Sequence, residues 1–191
     1  MIILCDVDGV IANFVGGVVE FLKSRGFQKQ ESDFTEFDMS QAMTPDQKAS
    51  FSFLGTQNGF CTSIPWYPQA ALFLKVLLDL GTVYALTAPW KAPTWESERR
   101  EWLSHVLPSD RMISCPPSAK HLIRGDVLIE DHPGTAAKWS HENPRGVAIL
   151  LDRPWNREGS ATWAAASLEG NTAKVRRVRD YKEAIHAIMD L

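Results

Sequence analysis

The chain begins with a short apolar run that stops abruptly at two aspartates, and this feature constrains its fold most. Residues 2–5 are Ile-Ile-Leu-Cys, which has the length and β-branched content of a buried strand, and Asp6, Asp8 and Gly9 follow at once. In an open α/β sheet the ligand site lies outside the carboxyl ends of the strands, and alternate residues point the same way. Asp6 and Asp8 therefore indicate a divalent cation, an acid/base pair or both. A simple strand-ending turn would use the same residue types.

Strand-like and helix-like segments alternate along most of the chain. Further strands are predicted at 82–86, 112–114, 127–129, 146–151 and, as an edge strand, 175–178. Helices are predicted at 13–26, 70–80, 93–106, 136–142, 161–168 and 181–191. This alternation predicts an α/β fold with a doubly wound, mainly parallel sheet of the Rossmann type. The stretch 152–159 is predicted to be a surface loop that could reach back over the site.

Residues 27–68 have a different character. The stretch is polar and rich in phenylalanine, shows no strand pattern, and contains a helix start at Thr44-Pro45. We predict a small helical cap inserted after the first strand. Residues 1–26 and 69–191 would then form the core domain.

Composition sets limits on partners and location. The net charge of −3 argues against a nucleic-acid binder, and the most hydrophobic predicted helix is interrupted by Lys75 and Asp79, so no membrane span is expected. Three scattered cysteines do not make a disulfide framework, and no signal peptide is visible. These features predict a reduced, cytoplasmic protein.

Three later segments also bring reactive side chains to strand ends or loops. The second strand is followed by Thr87 and Ala88, Lys120 lies in a Pro-rich loop, and the strand through residue 129 ends at Glu130 and Asp131. Each has an ordinary alternative. The threonine could simply end a strand, the lysine could be a solvated surface residue, and the two acids could cap the next helix.

In order and context, these four segments resemble the four motifs of the haloacid-dehalogenase superfamily of phosphotransferases. The longer stretches 6–14, 87–90, 126–131 and 150–156 resemble the 5′(3′)-deoxyribonucleotidase branch. The similarity covers about residues 2–157, and the aromatic insertion falls where that branch has its small helical cap. The resemblance implies a haloacid-dehalogenase-like core and a phosphomonoesterase that acts on nucleoside monophosphates, with deoxyribonucleotides favoured.

The resemblance also implies roles for the strand-end residues. Asp6 would be the nucleophile that forms an aspartyl-phosphate, and Asp8 would be the general acid and then the general base. Lys120, Thr87 and the backbone of Ala88 would hold the phosphate. The branch usually has serine at the position of Ala88, so one hydroxyl is missing while the backbone N–H remains.

Magnesium is the implied cofactor, because the available ligands are carboxylate, carbonyl and phosphate oxygens. The expected metal-binding residues are Asp6, Asp8, Glu130 and Asp131. Within the last pair, Asp131 is favoured as the direct ligand.

The aromatic residues of the insertion have two interpretations. They could form the core of a small subdomain, or one or two could stack on a nucleobase. We expect most to be core, with Phe37 and Phe60 as stacking candidates and Trp90 lining the cleft. The expected partner is a small phosphorylated substrate. The alternatives are a phosphatase of the same superfamily for another small phosphate ester, or a non-catalytic phosphate- or nucleotide-binding domain.

Overall fold

In the computed structural model, which describes residues 1–168 and 175–191, the strands form a single parallel sheet. Its spatial order is β3-β2-β1-β4-β5-β6, and every pairing is parallel. The strands are β1 (Ile2–Asp6), β2 (Thr82–Thr87), β3 (Met112–Ser114), β4 (Val127–Glu130), β5 (Val147–Leu151) and β6 (Val175–Val178). The predicted α/β fold with a Rossmann-type sheet is therefore confirmed, and the 175–178 segment is an edge strand as predicted.

The helices lie close to their predicted positions. They are α1 (Phe14–Ser24), α2 (Pro45–Leu54), α3 (Phe60–Ser63), α4 (Ala70–Leu80), α5 (Trp95–Leu103), α6 (Pro133–Glu142), α7 (Ala161–Leu168) and α8 (Tyr181–Met189). The helix α6 begins three residues before the predicted start at Ala136. The reason is local, because the His132 side chain accepts a hydrogen bond from Thr135 N and Pro133 occupies the first turn. No helix among the described residues has the length and hydropathy needed to cross a membrane.

The register of the sheet gathers the strand ends that matter. Asp6 pairs with Leu86 on one side of β1, and Cys5 pairs with Ile129 on the other side. Thr87 and Glu130 each lie one residue beyond those partners. The carboxyl ends of β1, β2 and β4 therefore meet at the centre of one sheet edge, where open parallel sheets place their ligand sites.

The 27–68 stretch contains the helices α2 and α3 together with two short 3₁₀ helices, Glu31–Asp33 and Met39–Ala42. Hydrogen bonds join this stretch to the helix α5. The Glu98 carboxylate accepts hydrogen bonds from the backbone N–H groups of Gly59 (2.7 Å) and Cys61 (3.0 Å), and Trp102 Nε1 donates to the carbonyl of Ile64 (2.8 Å). The division into a core and a cap stays a prediction.

The prediction of a surface loop at 152–159 is wrong for the middle of this stretch. Pro154–Asn156 forms a 3₁₀ helix in which Trp155 and Asn156 are buried. The Arg177 guanidinium of the edge strand donates to Asn156 Oδ1 (2.9 Å) and also to its backbone carbonyl, which fixes the segment against the sheet. A proline-containing, polar sequence is typical of a solvated loop, and only these packing partners bury it.

Candidate active site

The loop that leaves β1 is compact because one carbonyl holds most of it. Val7 O accepts the backbone N–H groups of Ile11 (2.9 Å) and Ala12 (2.8 Å). Gly9 has a φ of +83°, and a Cβ at this position would lie 1.9 Å from Asp131 Oδ2. Glycine is therefore required here for two reasons, the left-handed backbone and the close approach of the Asp131 carboxylate.

Asp6 and Lys120 form a buried ion pair. The 3₁₀ helix Pro117–Leu122 carries Lys120, whose Nζ lies 2.6 Å from Asp6 Oδ1 and 3.7 Å from Glu130 Oε2. Asp6 Oδ1 also accepts the backbone N–H of Val7 (2.7 Å). The interpretation of Lys120 as a solvated surface lysine is therefore wrong. Burial alone would lower the pKa of Lys120, but the carboxylates of Asp6 and Glu130 raise it above its ordinary value and keep the ammonium charged.

Three buried carboxylates converge beside that lysine. Asp6, Glu130 and Asp131 each offer one oxygen, and these oxygens lie within 4.8 Å of one another. Burial, followed by the charge of Glu130, raises the pKa of Asp6 well above its ordinary value. Burial, followed by the charge of Asp6, raises the pKa of Asp131 to about 6. Three carboxyl groups beside one lysine therefore resist full ionisation unless further positive charge is bound there.

The donor set fits a hard divalent cation. Every candidate ligand atom is a carboxylate oxygen, the type that magnesium prefers. Among the described residues, buried Glu130 Oε2 has no hydrogen-bond partner and only the 3.7 Å ion-pair contact with Lys120, whereas Glu130 Oε1 accepts the backbone N–H groups of Asp131 (3.1 Å) and His132 (3.2 Å). A cation at this point would balance the ionised carboxylates and coordinate Glu130 Oε2, which accepts no hydrogen bond from the described residues.

Sequence reasoning did not assign the residues that hold Asp131. Trp155 Nε1 donates to Asp131 Oδ2 (2.8 Å), and Asn156 Nδ2 donates to the Asp131 backbone carbonyl (2.7 Å). Both residues lie in the stretch 150–156 that carries part of the family resemblance, which was the available signal. Hydrogen bonds of this kind orient metal-ligating side chains.

The phosphate-binding candidates on β2 lie at the same edge. Thr87 Oγ1 is buried and has no hydrogen-bond partner among the described residues. Ala88 is half-buried directly after it. An unpaired buried hydroxyl costs free energy unless a ligand completes it, so its position beside Asp6 is consistent with an anion site.

Asp8 is not part of the carboxylate cluster, although it was expected among the metal-binding residues. Its side chain is 27% exposed, and Oδ1 accepts a hydrogen bond from Arg99 Nη2 (2.6 Å). Arg99 belongs to α5 and is completely buried. Sequence reasoning missed this arginine, because it lies in a strongly charged stretch that is typical of a solvated helix face.

The three aromatic substrate-binding candidates have different surroundings. Phe60 is 6% exposed and packs with Trp90 and Trp95 at centroid distances of 5.8 and 6.2 Å. Half-buried Trp90 also packs against Phe14 (5.3 Å), so these rings form one cluster between α1, α3 and α5. This packing favours Phe60 as a core residue. Phe37 is 49% exposed and lies edge-on to the ring of His132, 4.4 Å between centroids, beside the acidic cluster.

Residues 1–178 match the family model described as 5′ nucleotidase, deoxy (pyrimidine), cytosolic type C protein. A protein of Bordetella pertussis named "Putative 5′(3′)-deoxyribonucleotidase" is 29% identical over 166 residues, which cover 83% of this chain and 87% of the relative. A Staphylococcus aureus protein with the same name is 24% identical over 134 residues, 69% of this chain and 73% of the relative.

Solved structures of low sequence identity share the fold. A haloacid-dehalogenase (HAD) family hydrolase of Deinococcus radiodurans, with bound phosphate and sodium, superposes with a TM-score of 0.61 at 16% identity, covering 98% of this chain and 94% of that one. A HAD hydrolase of Bacillus subtilis bound to magnesium gives a TM-score of 0.57 at 12% identity, covering 98% and 97% of the two chains.

Proposed function

Because this chain belongs to the family of 5′-nucleotidases, deoxy (pyrimidine), cytosolic type C, we propose that it is a magnesium-dependent phosphatase for deoxyribonucleoside monophosphates. It is a hydrolase of the HAD fold and of the 5′-nucleotidase type. The observation that carries the proposal is the buried cluster of Asp6, Glu130, Asp131 and Lys120 at the centre of the sheet edge, with partly exposed Asp8 two residues beyond Asp6 in the chain.

The proposed reaction has two steps at Asp6. In the first, an Asp6 carboxylate oxygen attacks phosphorus, the bond from phosphorus to the ester oxygen breaks, and Asp8 donates its proton to the departing nucleoside oxygen. In the second, Asp8 takes a proton from a water molecule, which attacks the aspartyl-phosphate and releases inorganic phosphate. Both carboxyl groups return to their starting protonation, so the cycle is balanced.

Lys120, Thr87 and the Ala88 backbone are proposed to hold the phosphate. Lys120 brings a fixed positive charge to within 2.6 Å of the attacking carboxylate, so the approach of a phosphate dianion to Asp6 is less repulsive. The unpaired hydroxyl of Thr87 offers a hydrogen bond to a phosphate oxygen. These groups contact only features common to all phosphate monoesters, and they leave the choice of leaving group to other residues.

The proposed magnesium ligands are Asp6, Asp131 and, directly or through water, Glu130. The Asp8 side chain is not a proposed ligand, because its carboxylate lies outside the cluster. When bound, magnesium supplies positive charge for the phosphate oxygens and fixes their orientation. The three clustered carboxylates, and the lack of a hydrogen bond to Glu130 Oε2 among the described residues, support the proposal.

The choice of a nucleotide as substrate is supported by the family description and by the names of the relatives. The exposed ring of Phe37 offers a face on which a base could stack. One observation favours a second candidate, a phosphatase for another small phosphate ester. Phe60 and Trp90 are engaged with each other, so fewer rings are open to a base than the sequence alone predicts.

The test is a rate comparison across substrates and metals. Initial rates would be measured on deoxyribonucleoside, ribonucleoside and sugar monophosphates after chelation and after addition of magnesium or calcium. We expect deoxyribonucleotides to be preferred, magnesium to restore activity, and calcium to support it poorly because of its larger and more irregular ligand shell. A preference for sugar phosphates would favour the second candidate, and full activity after chelation would contradict the metal assignment.

A further inference from the structure

The Asp8 carboxylate is held by a single buried cation. Among the described residues, it accepts a hydrogen bond through Oδ1 alone, from Arg99 Nη2 at 2.6 Å. We propose that Arg99 is a positioning residue that fixes this carboxylate so that Asp8 Oδ2 carries the proton to the leaving group. The inference rests on the proposed function, because it concerns the general acid of that reaction.

The side chains packed around Arg99 fix the position of its guanidinium. It lies between the indole rings of Trp95 and Trp102, 5.1 and 5.2 Å from their centroids. Its neighbour Glu98 binds the backbone of α3, and Trp102 Nε1 binds the carbonyl of Ile64, so α5 itself is fixed. The cation is therefore held rigidly, whereas Asp8 lies on a loop and is partly exposed.

This arrangement is costly for a merely structural contact. Within the part of the chain that the structure describes, Arg99 Nε and Nη1 are buried without hydrogen-bond partners. An apolar side chain of similar length would fill the space between two indoles without burying a charge, and such replacements are often neutral or stabilising. A positioning role explains why a charged group occupies the site.

The position of Asp8 matters because proton transfer needs hydrogen-bond geometry. A shift of about 1 Å in a reacting group can cost about 10²-fold in rate. Without Arg99, the Asp8 side chain would be free to rotate toward solvent. The loss of rate should then appear only with substrates whose leaving oxygen needs a proton.

The test compares Arg99→Met and Arg99→Lys on two substrates. Thymidine monophosphate leaves as an alkoxide that requires protonation, whereas p-nitrophenyl phosphate leaves as a stable phenolate. The kcat/KM value reports the steps through the first transfer to Asp6. We expect Arg99→Met to lower kcat/KM about 10²-fold on the nucleotide but less than about threefold on the aryl ester. Arg99→Lys should have a nucleotide kcat/KM at least about tenfold higher than that of Arg99→Met.

Two controls separate positioning from folding. Arg100→Met changes the next residue of the same helix, which is exposed and bonds the carbonyl of Ser109, and it should leave both substrates unaffected. In an Asp8→Asn background, adding Arg99→Met should change nucleotide kcat/KM by less than about twofold, since Arg99 would act through Asp8. Melting curves would show that the variants are folded.

The outcomes separate the role of Arg99 from the phosphatase function. Equal losses of Arg99→Met on both substrates, no loss on the nucleotide, or a further loss in the Asp8→Asn background would each overturn the positioning role while the phosphatase function stands. A wild-type protein that hydrolyses neither substrate would overturn the proposed function, and with it the role of Arg99.

Discussion

Replacing Asp131 with asparagine should stabilise the metal-free protein at neutral pH, although it removes a proposed metal ligand. The Asp131 carboxyl is buried beside Asp6, and its pKa is raised from 3.8 to about 6 in the folded chain. The folded state therefore binds this proton more tightly than the unfolded state. Stability is lost as the pH rises from about 4 to about 6, and it stays at the lower level above that range.

The magnitude follows from the shift of about two pKa units. Each unit corresponds to about 1.4 kcal/mol, so ionised Asp131 costs the metal-free protein about 3 kcal/mol at pH 7.5 and less than about 1 kcal/mol at pH 4. Asparagine does not ionise, and its amide oxygen can still accept the hydrogen bond from Trp155 Nε1. We expect Asp131→Asn to gain up to about 3 kcal/mol at pH 7.5, roughly 6–12 °C in melting temperature for a chain of this length.

The assay is urea denaturation at pH 4 and pH 7.5, in chelator and then in magnesium. Magnesium should stabilise the wild type at pH 7.5 and stabilise Asp131→Asn much less, because the variant lacks one ligand charge. Asp110→Asn in the exposed 3₁₀ helix Ser109–Arg111 is the matched control and should change stability by less than about 0.5 kcal/mol. A metal-free Asp131→Asn protein that is less stable than the wild type at pH 7.5, or equally shifted at both pH values, would refute the reasoning.

Three further predictions concern activity and metal binding. Asp6→Asn should lower kcat at least about 10³-fold with an unchanged fold by circular dichroism, since an amide cannot attack phosphorus; a rate within tenfold of wild type contradicts its role. Trp155→Phe, which deletes the donor to Asp131, should weaken magnesium binding about 10- to 100-fold in calorimetry, and unchanged affinity would show that this hydrogen bond does not tune the ligand. Phe37→Ala should lower kcat/KM on a nucleotide about 5- to 150-fold more than kcat/KM on an aryl phosphate. Phe60→Ala, at a buried ring, should instead lower stability by about 3–5 kcal/mol and affect both substrates equally. A larger nucleotide-specific loss in Phe60→Ala than in Phe37→Ala would identify Phe60 as the stacking ring.

Local signals were sufficient for the strands and for the residues at their ends. The apolar run before Asp6 and the run before Glu130 form the neighbouring strands β1 and β4. A short, continuously apolar run is typical of a parallel strand, because both faces of such a strand are buried. Parallel strands that are joined by helices place their carboxyl ends at one edge. The sequence therefore predicted Asp6, Thr87 and Glu130 at the ends of strands, and the register shows that these strand ends are neighbours.

The tertiary structure alone decided which side chains hold the reacting groups. Arg99 lies 91 residues from Asp8 along the chain, in a helix whose charged sequence is typical of a solvent-facing surface. Trp155 reaches Asp131 from a segment whose polar sequence predicted an exposed loop. Phe60 could be read as core or as a stacking ring until its neighbours were known. Residue type and periodicity determine which segments form strands and helices, but burial of a charge or a ring depends on partners brought together by packing from distant parts of the chain.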